Sequence, residues 1–550
     1  MRVRSDELGK SAARLAVHPW RLAALLLLLV LFIISVYRAA TQSISHDEGM
    51  LFEAALSGSW SQVLNFEYGN HHVLTDLLSK FAISTFGLSQ FTMRIPSLAG
   101  CLLYFYAVFR ISSLLFGESF LFLLSVAVLS LNPFVLDYFS CARGYALPLG
   151  LFFYTLYQVV LYLSESYERS PRRDTRILNR AGVALGLSIG SNPIMIFPGA
   201  ALLATFVPIV IGESLLQRPA PVAVASVKER SHKAKRERRQ KSRRELSVSP
   251  RSGLWRQMFL HFVLPAIAVA GFFSMLPNRL IQPGVDYLGP PSLAAILEGL
   301  VRYSFVHSPA GYPGLAAWFS AAAAIRIVTQ YVVPLALLVL IFLAARILVV
   351  AIRNRSLGAL PLIHRFLLLL GGMLPTAIVL IVVSRYVFGQ PYPELRTAMY
   401  WLPLLELAAL TLYRTLNQRS RLEKILSVPV GAFLVLCVVQ YVTQFNTRYF
   451  AEWAYCAAGA DMMRMVRADH AAHSGTHVKL GATWQLEPVI NFYRVAWSLD
   501  WMDPVYRESP DNNYDYYLLA FSDTALVEKL HLKTLVNDRL SGAVLARRGS

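Results

Sequence analysis

The sequence predicts an α-helical polytopic membrane protein of about eleven transmembrane helices, with a small soluble α/β domain at its C-terminal end. Three observations lead there. Of 550 residues, 55% are hydrophobic and the mean hydropathy is +0.47, well beyond a soluble globule. Apolar runs of membrane length recur along the chain. The basic residues gather on one side of those runs.

The runs lie near 22–37, 95–115, 119–136, 145–163, 181–193, 194–212, 257–276, 328–350, 366–384, 398–413 and 425–443. With a cytoplasmic N-terminus, the inward segments 1–21, 164–180, 213–256, 345–365 and 414–424 carry +3, +2, +9, +4 and +3. Together they carry +21 against +19 for the whole chain, so the opposite side totals −2. This is the positive-inside asymmetry, and it explains the basic balance without nucleic acid. It predicts a multi-pass protein of the inner (plasma) membrane. The N-terminus is cytoplasmic and, an odd number of spans later, the C-terminal region is periplasmic or extracellular. The first run reads as a retained anchor, because Arg38 interrupts the small-residue pattern around Ala39-Ala40 that a cleaved signal would show.

Residues 1–21 are the expected cytoplasmic N-terminus and 22–443 the transmembrane domain. Its first outer loop, 38–93, holds Ser45-His46-Asp47-Glu48. Leu74, Leu77, Leu78 and Phe81 recur there at helical spacing, with Asp76 and Lys80 opposite, and predict a helix along the membrane surface. The cytoplasmic loop 213–256 is basic: ten Lys/Arg and two Glu fall between Lys228 and Arg244. It reads as a disordered topology anchor over 217–256. A second outer loop, about 277–326, contains Pro283-Gly284, Pro290-Pro291 and an apolar helical stretch from Leu293 to Val301. A third holds Arg385, Tyr386 and Tyr392 to Arg396. Residues 444–550 change character: eleven Lys/Arg balance twelve Asp/Glu and no membrane-length run remains. Lys479 to Thr483 and Tyr516 to Phe521 read as strands and Thr524 to Leu530 as a helix, giving an extracytoplasmic α/β domain. No internal repeat is visible, which counts against transporters built from duplicated halves. Four cysteines, Cys101, Cys141, Cys437 and Cys456, form neither a disulfide framework nor a metal spacing.

Two adjacent carboxylates at the mouth of a membrane protein are costly to keep and call for a reason. At a lipid–water boundary, Asp47 or Glu48 suits a base acting on a substrate that is itself half lipid. Asp47 is also a residue type that caps helices. Arg94, Arg143 beside Tyr145, Arg385 and Arg396 are the outer groups suited to an anionic headgroup, although arginines there also snorkel for structural reasons alone. His46, His71 and His72 are candidates for acceptor binding or for a divalent metal, but adjacent histidines make a weak ligand pair and no ligand cluster compels a metal.

The order of these residues resembles a known family. An Asp-Glu pair after the first span is followed by Asn70-His71-His72-Val73-Leu74 at a helix start, then Arg94-Ile95-Pro96-Ser97. Asn132-Pro133-Phe134 and Ala142-Arg143-Gly144-Tyr145-Ala146-Leu147 come next. Residues 40–150 are similar to membrane glycosyltransferases of the GT-C fold, in the protein O-mannosyltransferase and aminoarabinose transferase group. Looser likeness continues in Arg396 before Trp401-Leu402-Pro403 and in Gly481 to Trp484. The resemblance implies an inverting transfer from a polyprenyl-phosphate sugar on the outer face. Asp47 would be the base, and Glu48 would position it or bind acceptor. Arg94 and Arg143 would lie near the donor phosphate or brace the first loop. His72-Val73 stands where the family often has Pro-Pro, and no β-trefoil insert is visible, so the expected acceptor is a lipid or glycan. A transporter or flippase for a lipid-linked sugar is the alternative. It would place charges near mid-membrane, where Glu406 is the main instance.

Overall fold

A computed structural model describes residues 18–65, 72–165, 175–216, 250–276, 289–306, 321–418, 420–473 and 477–548. The chain is a multi-pass membrane protein. Eight helices among the described residues are long and apolar enough to cross a bilayer. They are α1 (Pro19–Thr41), α4 (Gln90–Phe116), α7 (Ala146–Ser164), α9 (Pro193–Leu216), α10 (Gly253–Met275), α12 (Ile325–Arg353), α13 (Leu362–Phe388) and α15 (Arg421–Gln444).

A ninth passage is broken. α5 (Phe120–Leu131) and α6 (Pro133–Ser140) meet at an angle of 59°, although 119–136 reads as one run. Pro133 cannot donate a backbone hydrogen bond, so the helix stops. Asn132 then caps the new helix by accepting from Phe134 N and Val135 N. The 181–212 region divides in the same way at Asn192-Pro193, into α8 (Thr175–Ser191) and α9. α8 and α14 (Trp401–Asn417) have 17 residues each, so these two expected runs are shorter than the eight full-length helices.

Two elements differ from expectation at their edges. Residues 250–256, read as the end of the basic loop, open a helix at Pro250, where proline is pre-organised for the first helical position. Residues 213–216 of that loop end α9, while 217–249, His71 and Pro283-Gly284 lie outside the described residues. The surface helix runs longer, as α3 (Val73–Phe86), with Phe81 and Phe86 exposed.

α4 and α7 cross closely because glycines face each other. A Cβ added at Gly150 would sit 2.3 Å from Gly100 O, and one at Gly100 would sit 2.5 Å from the backbone of Ala146 and Leu147. Small residues let backbones approach where lipid supplies no hydrophobic drive. This contact fixes the α7 end of the segment 141–145 that the site uses, and Ser97 Oγ of α4 donates to Cys141 O at 2.6 Å at the other end.

The C-terminal region is an α/β unit. Its four strands, β1 (Leu480–Ala482), β2 (Tyr516–Leu519), β3 (Lys533–Asn537) and β4 (Val544–Arg547), lie in the order β1-β2-β4-β3. β1 pairs parallel to β2, and the other pairs are antiparallel. Helices α16 (Gly459–His473) and α17 (Glu487–Ala496) accompany the sheet. The expected helix over 524–530 is a single turn, Leu526–Lys529. The cysteines are four buried free thiols.

Replacing Gly150 with leucine is expected to force α4 and α7 apart. Overpacking of this kind costs about 1–3 kcal/mol. A lowered thermal midpoint of the purified protein in detergent checks it; an unchanged midpoint would remove the glycine contact from the fold's requirements.

Candidate active site

The acidic motif begins a helix, α2 (His46–Leu51). Its cap is Ser45, not Asp47. Ser45 Oγ accepts from Glu48 N and Glu48 Oε2 accepts from Ser45 N at 2.8 Å. This is the reciprocal Ser-x-x-Glu capping box. It leaves Asp47 in the first turn with its carboxylate directed elsewhere.

Glu48 and Arg94 form a closed unit, both with no side-chain exposure. Arg94 Nε and Nη2 donate to the two Glu48 oxygens at 2.8 Å each. Its remaining donors go to the carbonyls of Ala39, Gln42 and Ser43. All five guanidinium N–H groups are thereby used. Glu48 also accepts from Ala142 N at 2.6 Å, so its four lone-pair directions are occupied too. Burial alone would raise the Glu48 pKa; Arg94 outweighs it and holds the carboxyl below its usual range. Neither residue has capacity left for substrate. Arg94 braces the first loop against segment 141–145.

Asp47 is different. It keeps 18% side-chain exposure, and its Oδ2 lies 3.2 Å from Arg143 Nη2 and 3.1 Å from Arg396 Nη2. Burial pushes its pKa up, but Arg143 first and Arg396 next outweigh that and hold it below the usual aspartate range. Arg143 comes from segment 141–145 between α6 and α7. Arg396 comes from the short turn before α14.

Arg396 is shared. Its Nη1 lies 3.2 Å from Glu452 Oε2, and that oxygen also accepts from Tyr138 OH at 2.5 Å. Its guanidinium sits 5.7 Å from the Trp453 ring centroid. Glu452 and Trp453 belong to the lead-in to the C-terminal unit and had no place among the expected site residues. Buried bonds carry them there. Asp137 pairs with Arg38 inside the bundle and accepts from Ala451 N at 2.8 Å, and Arg38 also donates to Tyr449 O. The only sequence signal for Glu452 is a carboxylate just beyond the last span.

Tyr145 is buried beside this group, its ring 5.1 Å from Tyr138 and 5.0 Å from His72. Asp47 Oδ2, Arg143 Nε and Nη2, Tyr145 OH and Glu452 Oε1 are all buried without a hydrogen-bond partner among the described residues. Asp47 Oδ2 and Arg143 Nη2 sit at ion-pair range of each other. Buried polar atoms are normally satisfied, and these five depart from that rule within one group of residues.

The other expected residues lie elsewhere. Arg385 is exposed, 5.9 Å from the Tyr392 ring. His72 N donates to Asp76 Oδ2, and burial pushes Asp76 up to about 7. His46 Nδ1 meets Gln485 O at 2.8 Å and its ring stands edge-on to Trp484; burial lowers its pKa. No group of three His, Cys, Asp or Glu suited to a metal occurs among the described residues. The donor set as arranged does not fit a dication: two guanidiniums already face Asp47 and Glu48 is full.

The C-terminal unit closes over α2. Gly49 lets α17 approach, since a Cβ there would sit 2.6 Å from the Pro488 backbone. Tyr493 OH accepts from Ile44 N and Ser43 Oγ from Ala460 N.

Removing the Glu48 charge, as in Glu48→Gln, should destabilise the protein by about 3–5 kcal/mol, because it leaves Arg94 buried and unpaired. The Glu48 pKa is depressed on folding, so its stabilisation is present above 4.5 and fades as pH falls through the folded value. Thermal midpoints of the wild-type and substituted proteins should therefore differ at pH 7 and converge below pH 4.5.

No family model and no curated protein sequence matches the chain. Solved structures are similar to it over nearly all its length. ArnT from Cupriavidus metallidurans bound to undecaprenyl phosphate is 14% identical, with 97% of this chain and 100% of that one covered and a TM-score of 0.39. The same protein in the apo state gives 14% identity, coverages of 96% and 99% and 0.44. The oligosaccharyltransferase AglB from Archaeoglobus fulgidus, with an inhibitory peptide and a dolichol-phosphate, gives 12%, coverages of 97% and 74% and 0.38. At these identities and TM-scores, the function of the chain has to rest on its own site.

Proposed function

We propose that the protein is an inverting membrane glycosyltransferase that moves a sugar from a polyprenyl-phosphate donor to a lipid or glycan acceptor. One observation carries this reading: a partly exposed aspartate is held between two arginines at the end of a membrane bundle, ringed by unsaturated buried polar atoms.

The chemistry follows from where charge moves. The acceptor hydroxyl oxygen attacks the anomeric carbon and its proton passes to the Asp47 carboxylate. The bond from that carbon to the phosphate oxygen breaks, and its electron pair stays on the phosphate. Arg143 and Arg396 are the cations that meet this charge. Asp47 paired to both is a weak base. A donor phosphate draws the guanidiniums toward itself, and the basicity of Asp47 rises as they leave. Donor binding thus readies the base. Topologically, the site faces outward, with the N-terminus and basic loop in the cytoplasm.

Asp47→Asn should keep the protein folded and lower prenyl-phosphate release from a panel of polyprenyl-phosphate sugars by about 10²-fold or more; full retained activity would sink the base assignment. Removal of Arg396 in Arg396→Ala takes away a cation that favours the Asp47 anion. The acid limb of kcat/KM should then move to higher pH than in wild type, where Arg143 and Arg396 hold the Asp47 carboxyl low. Alkaline phosphatase fused after residue 550 should be active, and fused within 217–249 inactive; the opposite pattern would reverse the topology.

A further inference from the structure

Glu452 is the group in this site whose chemistry the transfer scheme leaves unused. Its side chain is 8% exposed. One oxygen is committed to Arg396 and Tyr138, while Oε1 is buried and has no hydrogen-bond partner among the described residues. The segment that carries it is pinned by Asp137 and Arg38, so this placement is not a property of a loose loop. Glu452 and Asp47 engage the two terminal nitrogens of one guanidinium, Nη1 at 3.2 Å and Nη2 at 3.1 Å.

A phosphate that engages Arg396 must come close to Glu452. An ionised Glu452 would then repel it, and a protonated one would offer an O–H to it. Tyr138 OH occupies Oε2 as a donor, which leaves Oε1 as the atom to carry the proton. We infer that Glu452 is the phosphate-side acid of this site: it takes up one proton as a polyprenyl phosphate binds and donates a hydrogen bond from Oε1 to a phosphate oxygen. This rests on the transferase reading above and adds to it a second carboxyl with the opposite duty. During transfer the acceptor's proton goes to Asp47, the electron pair of the broken bond goes to the phosphate, and the Glu452 O–H stabilises that charge without leaving its carboxyl.

The charged and titratable neighbours bear on this. Arg396 favours the anion, as does the hydrogen bond from Tyr138, while Asp47 opposes it. Tyr145, Tyr303 and Tyr455 also feel its charge. Burial is the largest influence and, with Asp47, leaves Glu452 above the usual carboxylate range in spite of Arg396. Two carboxyls displaced in opposite directions around one cation are the pattern of an acid and a base sharing a site.

The test is binding of undecaprenyl phosphate to the full chain in nanodiscs from pH 5.5 to 8.5, for wild type, Glu452→Gln and Tyr138→Phe. Glutamine stands in for the protonated acid. The ratio of wild-type to Glu452→Gln Kd should rise with pH, by up to about tenfold per pH unit where the pH exceeds the Glu452 titration. The phosphate's own titration cancels in that ratio. Tyr138→Phe removes a donor to the carboxylate, favours the protonated form and should move the Glu452 titration to higher pH. A ratio independent of pH overturns the inference. If Glu452→Gln does not fold, a ratio of Tyr138→Phe to wild-type Kd that does not change with pH overturns it equally. Wild type that binds no undecaprenyl phosphate at any pH would instead bring down the polyprenyl-phosphate reading beneath it.

Discussion

The Glu48–Arg94 pair is the constraint on which the rest of the site depends. A fully buried ion pair repays its desolvation only when the geometry is good and every remaining donor and lone pair is used. Here they are all used, and the partners come from three chain segments: the end of α1, the start of α4 and the turn before α7. The pair therefore joins the acidic loop to the segment that bears Arg143. The tie matters because α2 is six residues long and a helix that short has little stability of its own.

The two adjacent carboxylates consequently divide their labour. Residues 47 and 48 are neighbours in a helical first turn, so they point about 100° apart. The Ser45 cap ties Glu48 inward and thereby turns Asp47 toward the opening. Both carboxyls are depressed below their usual range, but by different partners. Glu48 is held by a cation with no freedom to leave. Asp47 is held by two that retain donors for something else, one of them 26% exposed. The first arrangement is architecture and the second is suited to chemistry.

The C-terminal unit belongs to the site as much as the bundle does. Its lead-in supplies Glu452 and Trp453, and its helix α17 packs on α2 at Gly49. Tyr493 reaches across to Ile44 N and to Gln90. A C-terminal unit that merely decorated the membrane portion would have no need of such buried polar ties. Burying them is worthwhile only if the relative placement of the loop and the domain matters.

The sequence by itself determined the membrane class, most of the helices and the acidic loop. Hydropathy is a sum over about twenty residues, and such sums survive ignorance of contacts. The capping box was readable too, since Ser45 and Glu48 are three residues apart, although attention to the carboxylates alone hides it. The break at Asn132-Pro133 follows from local stereochemistry that a hydropathy average smooths over, whereas the division near Asn192-Pro193 was already visible in the separate runs 181–193 and 194–212. Only the tertiary structure decided which arginines serve Asp47. Arg94, Arg143, Arg385 and Arg396 are chemically alike, and at the sequence level each has the same claim on an anion. Arg94 is consumed by three backbone carbonyls and one carboxylate, Arg385 faces outward over Tyr392, and Arg143 and Arg396 converge from segments 253 residues apart in number. Glu452 enters for the same reason, through Arg38, Asp137 and the Ala451 backbone. Distances between remote segments are set by packing and by the demand that buried polar groups be satisfied, and neither is a local property of the chain.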